Sequence, residues 1–224
     1  MSYATISELK ARLNKTGAGQ DAVLTALIAA SEIAINNYCN RPDGFEALAV
    51  GTAREYSGSG LSYLWIDECV SVSAVAVKES VTDTTYTAWV AGDFITARGD
   101  PRNPNFNSPP KTMLIVNPTG NYSIFTGGQY SNLQGFPPDI DAKVTSRGVP
   151  TVQVTAKWGY SVTAPLPVKE ATLIQAVRLY KRFESGMSDT LASSDTGQLM
   201  YTKEIDPDAV FLLKLGRYIR PPIG

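Results

Sequence analysis

Residues 151–186 read TVQVTAKWGYSVTAPLPVKEATLIQAVRLYKRFESG, and the apolar period changes halfway through. Val152, Val154 and Ala156 alternate with polar residues, which predicts a strand over Val152–Trp158. Trp158-Gly159-Tyr160 and the Pro165-Leu166-Pro167 link follow. Leu173, Ala176, Val177, Tyr180 and Phe183 then recur at helical spacing as a buried stripe, with Pro167 suited to the first turn. A strand driven into a helix through glycine and aromatics admits three readings: nucleophile elbow, ligand platform or structural joint. An elbow needs a nucleophile at the turn centre, where this chain has glycine. Trp158, Gly159 and Tyr160 are therefore assigned to a structural joint, the aromatics packing the strand end against helices and Gly159 letting the chain swing. Ligand stacking on Trp158 or Tyr160 is the weaker alternative.

Upstream of this stretch the texture is first helical and then β-like. Thr5 and Glu8 have capping-box spacing, and Ile6, Leu9 and Leu13 fall on one face of a short helix. A second helix opens at Asp21 or just before it. Leu24, Leu27, Ser31, Ile35 and Tyr38 repeat along it among small alanines, until Pro42 and Gly44 break the pattern. Between residues 50 and 158, runs rich in Val, Ile, Thr, Tyr and Trp alternate with Gly, Asn, Pro and Asp clusters. Strands are predicted at Ala53–Tyr56, Tyr63–Ile66, Val70–Lys78, Tyr86–Val90, Thr112–Val116 and Val152–Trp158. Arg98–Pro110 and Gly127–Pro150 read as surface loops.

Downstream, Ser185–Thr202 reads as a flexible connection. Asp206-Pro207-Asp208 opens a last helix filled by Val210, Phe211, Leu213 and Leu215 and ended by Gly216. The expected fold class is α+β: a small helical bundle from residues 1–49 and 159–216, a β-rich insert over 50–158, and an extended, polyproline-like tail over 217–224.

Composition narrows the chemistry. Of 224 residues, 43% are hydrophobic and 18% charged, and the net charge is −1. No run approaches the roughly 18 apolar residues of a membrane span, and the charged, amphipathic start resembles no signal peptide. Cys39 and Cys69, far apart in sequence, read as buried thiols of a protein made in a reducing cytoplasm. The chain contains no histidine, which removes Ser-His-Asp and Cys-His catalysis, ordinary zinc sites and imidazole switching together. Near-neutral charge provides no general field for nucleic acid.

The remaining motifs favour plain structure. Ser57-Gly58-Ser59-Gly60 lacks the lysine of a P-loop and the third glycine of a dinucleotide fingerprint, and reads as a hairpin turn. Asp67-Glu68 and Asp139/Asp141 are the close acidic pairs that could suggest a divalent metal or paired carboxylates, and solvated acids explain them better than a metal site. No catalytic residue, cofactor or metal is expected. The C-terminal end resists a purely structural reading. Past Asp208 the only charges are Lys214, Arg217 and Arg220. Arg217, Tyr218, Ile219, Arg220, Pro221 and Pro222 read either as a disordered end or as a docking arm for a partner.

Taken together, both helical flanks resemble the head–tail connector proteins (adaptor or head-completion proteins) of tailed siphophages and prophages. The likeness rests on the capped first helix, on Asp21 to Ser31 leading to Tyr38-Cys39-Asn40-Arg41-Pro42, and on Trp158-Gly159-Tyr160 with its proline link. It extends to Ala171, Tyr180-Lys181-Arg182 and the closing Leu215 to Arg220. Small members of the family lack so large a β insert. The resemblance implies a non-enzymatic virion part made in the host cytoplasm. It would sit in the neck as a homo-oligomeric ring, usually twelve-fold, beneath the portal protein, extending the DNA channel toward the next neck or tail protein. DNA would pass through without specific binding, which a near-neutral body suits. The basic tail would reach the portal or a neighbouring subunit. Two other readings stand beside it: a tail-completion or stopper protein, and a carbohydrate- or surface-binding β module using Trp65, Trp89 or Trp158. The last needs at least one of those rings on an exposed concave face.

Overall fold

The computed structural model describes residues 2–98, 108–128, 148–185, 190–192, 199–201 and 205–220. The chain divides into two compact units, Met1–Glu46 with Thr163–Gly224, and Ala47–Val162. Among the described residues, the first contains the four helices α1 (Ile6–Leu13), α2 (Asp21–Tyr38), α3 (Leu166–Glu184) and α4 (Pro207–Leu215). The second contains strands β1 (Thr52–Tyr56), β2 (Tyr63–Val77), β3 (Thr87–Trp89), β4 (Phe94–Ala97), β5 (Lys111–Val116) and β6 (Val152–Trp158). The fold class is α+β.

In the helical unit, Ala4, Leu9, Leu24, Ile28, Leu173, Ala176 and Tyr180 form the core. The capping box at Thr5 forms as its spacing predicts: Glu8 N–H donates to Thr5 Oγ1 (3.2 Å) and Thr5 N–H to Glu8 Oε2 (2.9 Å). Asp206 caps α4 by accepting from Asp208 N–H (2.9 Å), and its own N–H donates to the buried Gln175 side chain on α3 (3.0 Å). Phe183, placed on the buried stripe of α3 by its spacing, is exposed, as are Phe211 and Leu215 on α4. The period of these short helices does not say which of several apolar edges finds a neighbour.

Three of the four helices end alike. A residue just past the last turn has positive φ at α1, α2 and α4: Asn14 (53°) directly after the helix, and Asn40 (53°) and Arg217 (54°) one residue later. Each is followed by a residue whose N–H returns to a carbonyl five positions back: Lys15 to Lys10, Arg41 to Asn36 and Tyr218 to Leu213. This is the Schellman closure. At α4 the sequence pointed to Gly216 as the stop, but the left-handed position falls on Arg217, one residue later.

In the sheet unit the order is β1-β6-β2-β5-β4, with β3 beside β2, all antiparallel. Two predicted strands, Tyr63–Ile66 and Val70–Lys78, are one strand of 15 residues whose pairing is interrupted by bulges, two of them flanking Cys69. The bulges let one strand serve β5 along its first half and β6 along its second. Ser57–Gly60 joins β1 to β2 but is no hairpin, because β6 lies between those strands. Gly58 permits close backbone approach instead: its N–H donates to Thr151 Oγ1 (2.9 Å), and an added Cβ would collide with the Thr126 carbonyl. β4 was not anticipated. Neither was the small antiparallel pair β7 (Thr190–Ala192) and β8 (Leu199–Tyr201), in the stretch read as a flexible connection.

Candidate functional site

The segment after α4 is the one expected to reach a partner. Tyr218, Ile219 and Arg220 carry neither helix nor strand, as an extended end requires, yet their base is anchored within the helical unit. Arg41 Nε donates to the Tyr218 carbonyl (2.9 Å), and Arg220 N–H donates to the Cys39 carbonyl (3.1 Å). The Arg41 guanidinium is buried and lies over the Phe45 ring, 5.2 Å from its centroid. Tyr218 meets the same ring edge-on, and Tyr3 does so from another side at 6.2 Å. Phe45 is thus wrapped by residues 3, 41 and 218.

Two glycines make this wrapping possible. Gly216 has no side chain where the Tyr218 ring folds back, and an added Cβ would overlap that ring. Gly44 takes φ +75°, and a Cβ there would press on the Tyr3 hydroxyl. That hydroxyl accepts from Phe45 N–H (2.7 Å) and donates to Asn36 Oδ1 (2.9 Å). Burial raises the Tyr3 pKa above its ordinary value. It also pushes the Cys39 thiol up to about 11, keeping it protonated and inert at neutral pH.

Of the six residues assigned to the docking arm, Arg217 is exposed, Tyr218, Ile219 and Arg220 are half-buried, and Pro221 and Pro222 lie outside the described residues. Sequence reading treated Tyr218 as part of a linear motif. The available signal was an apolar residue two places after a terminal glycine, where Schellman ends bring it back onto the helix.

Trp158 is fully buried and belongs to the core of the sheet unit. Its Nε1–H donates to the Thr52 carbonyl (2.8 Å), and the Arg54 guanidinium covers its ring at 4.5 Å. Gly159 follows at φ 135°, its N–H donating to the Glu68 carbonyl (2.8 Å). Trp89 is also buried, stacked on Tyr122 at 4.4 Å, whereas Trp65 is half-buried. Two of the three candidate stacking platforms are therefore committed to packing.

Of the two candidate acidic pairs, the one among the described residues has partners of its own. Asp67 accepts from Arg54 (3.0 Å) and from the Tyr56 hydroxyl (3.0 Å), while Glu68 is buried. Burial, with the Asp67 charge beside it, raises the Tyr56 pKa. Asp139 and Asp141 lie outside the described residues. Among the described residues, no three His, Cys, Asp or Glu side chains group as metal ligands would. Asp93, unnoticed in the sequence, is a buried structural hub. It accepts from Val90 N–H and from both nitrogens of Asn121, each at 3.0 Å, and so clasps two loops.

No family model and no curated protein sequence matches the chain. Solved structures do. The chain is similar to one in the "Neck of empty GTA particle computed with C6 symmetry", with TM-score 0.53 and 12% identity, covering 98% of this chain and 90% of that one. It is similar to one in the "Neck of native GTA particle computed with C12 symmetry", with TM-score 0.50, 13% identity and the same coverage. GTA denotes a gene transfer agent. At such identities the shared property is the fold.

Proposed function

We propose that the chain is a structural head-to-tail connector of a tailed bacteriophage or related particle. In this reading it forms a ring under the portal, extends the DNA channel and presents the docking surface for the next neck or tail protein. The observation carrying the proposal is the fold shared with chains of a solved particle neck across 98% of this chain. The cyclic symmetry of those necks supports a ring. Arg217 and Arg220, with Pro221 and Pro222 beyond them, contact the portal or a neighbouring subunit, while Tyr218 fixes where the arm departs. The net charge of −1 suits a channel along which DNA slides, since many phosphate contacts would hold it.

Negative-stain electron microscopy of the chain mixed with its portal tests the reading. A ring stacked on the portal's narrow end is expected. A ring that binds a tail component but not the portal would instead indicate a tail-completion or stopper protein. No ring in either mixture would overturn the proposal.

A further inference from the structure

The outward face of the sheet unit is divided in character. Along β6, Gln153, Thr155 and Lys157 alternate with buried residues, and Ser71 and Ser73 on the second half of β2 are exposed, as on a solvated sheet face. Across β4, β5 and the first half of β2 the content reverses. Tyr63, Ile115 and Ile95 are register partners in one row, and Trp65 and Met113 pair two residues further along. The intervening pair, Leu64 and Leu114, is fully buried, so alternation turns the flanking residues away from the core, Ala97 beside Met113 being itself covered. Tyr63 is 39% and Ile95 40% exposed, and Trp65, Met113 and Ile115 are partly so. At strand and residue spacings this is a patch on the order of 300 Å², a size that on monomers is often functional.

A second apolar surface lies on α4. Phe211 and Leu215 stand one turn apart, 63% and 71% exposed, while Ala209 and Leu213 take the buried side. One surface is a sheet face and the other a helix ridge, shapes that pack on each other in layered proteins. A closed ring requires two different, complementary surfaces on every subunit.

We propose that the Phe211/Leu215 ridge of one copy seats on the Tyr63–Ile115–Ile95 face of the next, forming the ring's subunit contact. This rests on the connector reading, because the C6 and C12 symmetry of the similar necks gives the reason for a head-to-tail contact between copies. The patch falls short of the roughly 800 Å² per partner of a stable pair. A lone dimer is therefore weak, and the contact gains strength when closure holds each copy from both sides.

Thiol cross-linking of the full chain tests the contact, since Cys39 and Cys69 are fully buried and leave introduced cysteines as the reactive ones. With a short flexible cross-linker, the double variant Ile115→Cys/Phe211→Cys should give a ladder of covalent oligomers. Either single variant alone should stay monomeric, and an equimolar mixture of the two should stop at dimers. Adding Tyr63→Glu to the double variant should cut the ladder at least about tenfold with the melting temperature unchanged. Dimers from one single variant alone, links closed within one chain, or no ladder would each overturn the contact. Rings on the portal without a ladder would leave the connector reading standing, and a ladder without portal attachment would sink that reading instead.

Discussion

Tyr218 meets Phe45 edge to face, with ring centroids 5.7 Å apart and ring planes at 87°. The pair ties the start of the C-terminal segment to the turn after α2. Phe45→Ala should cost about 3–5 kcal/mol, as for other fully buried rings, and Tyr218→Ala less because its ring is half-exposed. A double-mutant cycle by urea denaturation should return a coupling of about 0.5–1.5 kcal/mol. Zero coupling would show that the rings do not hold each other.

Gly216→Ala tests the same hook from its other side. The new methyl would occupy the Tyr218 ring's place, so the ring must leave Phe45. The Phe45–Tyr218 coupling should then vanish in the Gly216→Ala background. If it survived, the close approach would be wrong.

Arg217 separates stability from docking. It occupies a left-handed position that glycine or asparagine fills more easily, at a strain of about 1 kcal/mol. Arg217→Gly should therefore raise the unfolding free energy by about that amount while weakening portal pull-down. Arg217→Ala should weaken pull-down without the gain. Arg220→Ala keeps its main-chain bond to Cys39 and should weaken pull-down as well. Retention of portal by a chain lacking both arginines would sink the docking assignment.

Acid should loosen α1 before it unfolds the whole chain. Hydrogen bonding to Lys169 and to Thr5 N–H holds the Glu8 carboxyl at about 2, against an ordinary 4.5. A lowered folded-state pKa contributes stability above pH 4.5, which is lost as pH falls from there toward 2. Solvent screening at this exposed pair limits the contribution to about 1 kcal/mol or less. Chemical denaturation across that range should show the slope in the wild type and a flatter profile for Glu8→Gln.

Gly159→Val should damage the sheet unit. At φ 135° a β-branched residue is sterically excluded, and the strain is about 1–3 kcal/mol or more. An unchanged melting temperature would remove the joint role assigned to Trp158, Gly159 and Tyr160.

Much of the fold is legible where the signal is local. Thr5 and Glu8 mark the first helix, Asp206-Pro207 marks the last, and the alternation of Val152 to Trp158 defines a strand that matches residue for residue. What escapes sequence reading is non-local. That β6 separates β1 from β2 depends on pairing between residues about a hundred positions apart. β4 has four residues, too few to establish a period. The candidate sites split the same way. The isolation of Arg217 and Arg220 is visible in composition, but the burial of Arg41 against Phe45 and the apolar rows on the sheet appear only once the register is known.

The sheet unit also has a seam. Ala47 N–H donates to the Ser161 carbonyl (2.8 Å) and Leu48 N–H to the Trp158 carbonyl (2.9 Å), so the unit's first and last residues are stitched together. A segment whose ends already touch can be lifted out and replaced by a few glycines with little loop-closure entropy to restore. The helical unit thus stands as a chassis on which evolution, or an engineer, can exchange one cassette for another without rethreading the chain.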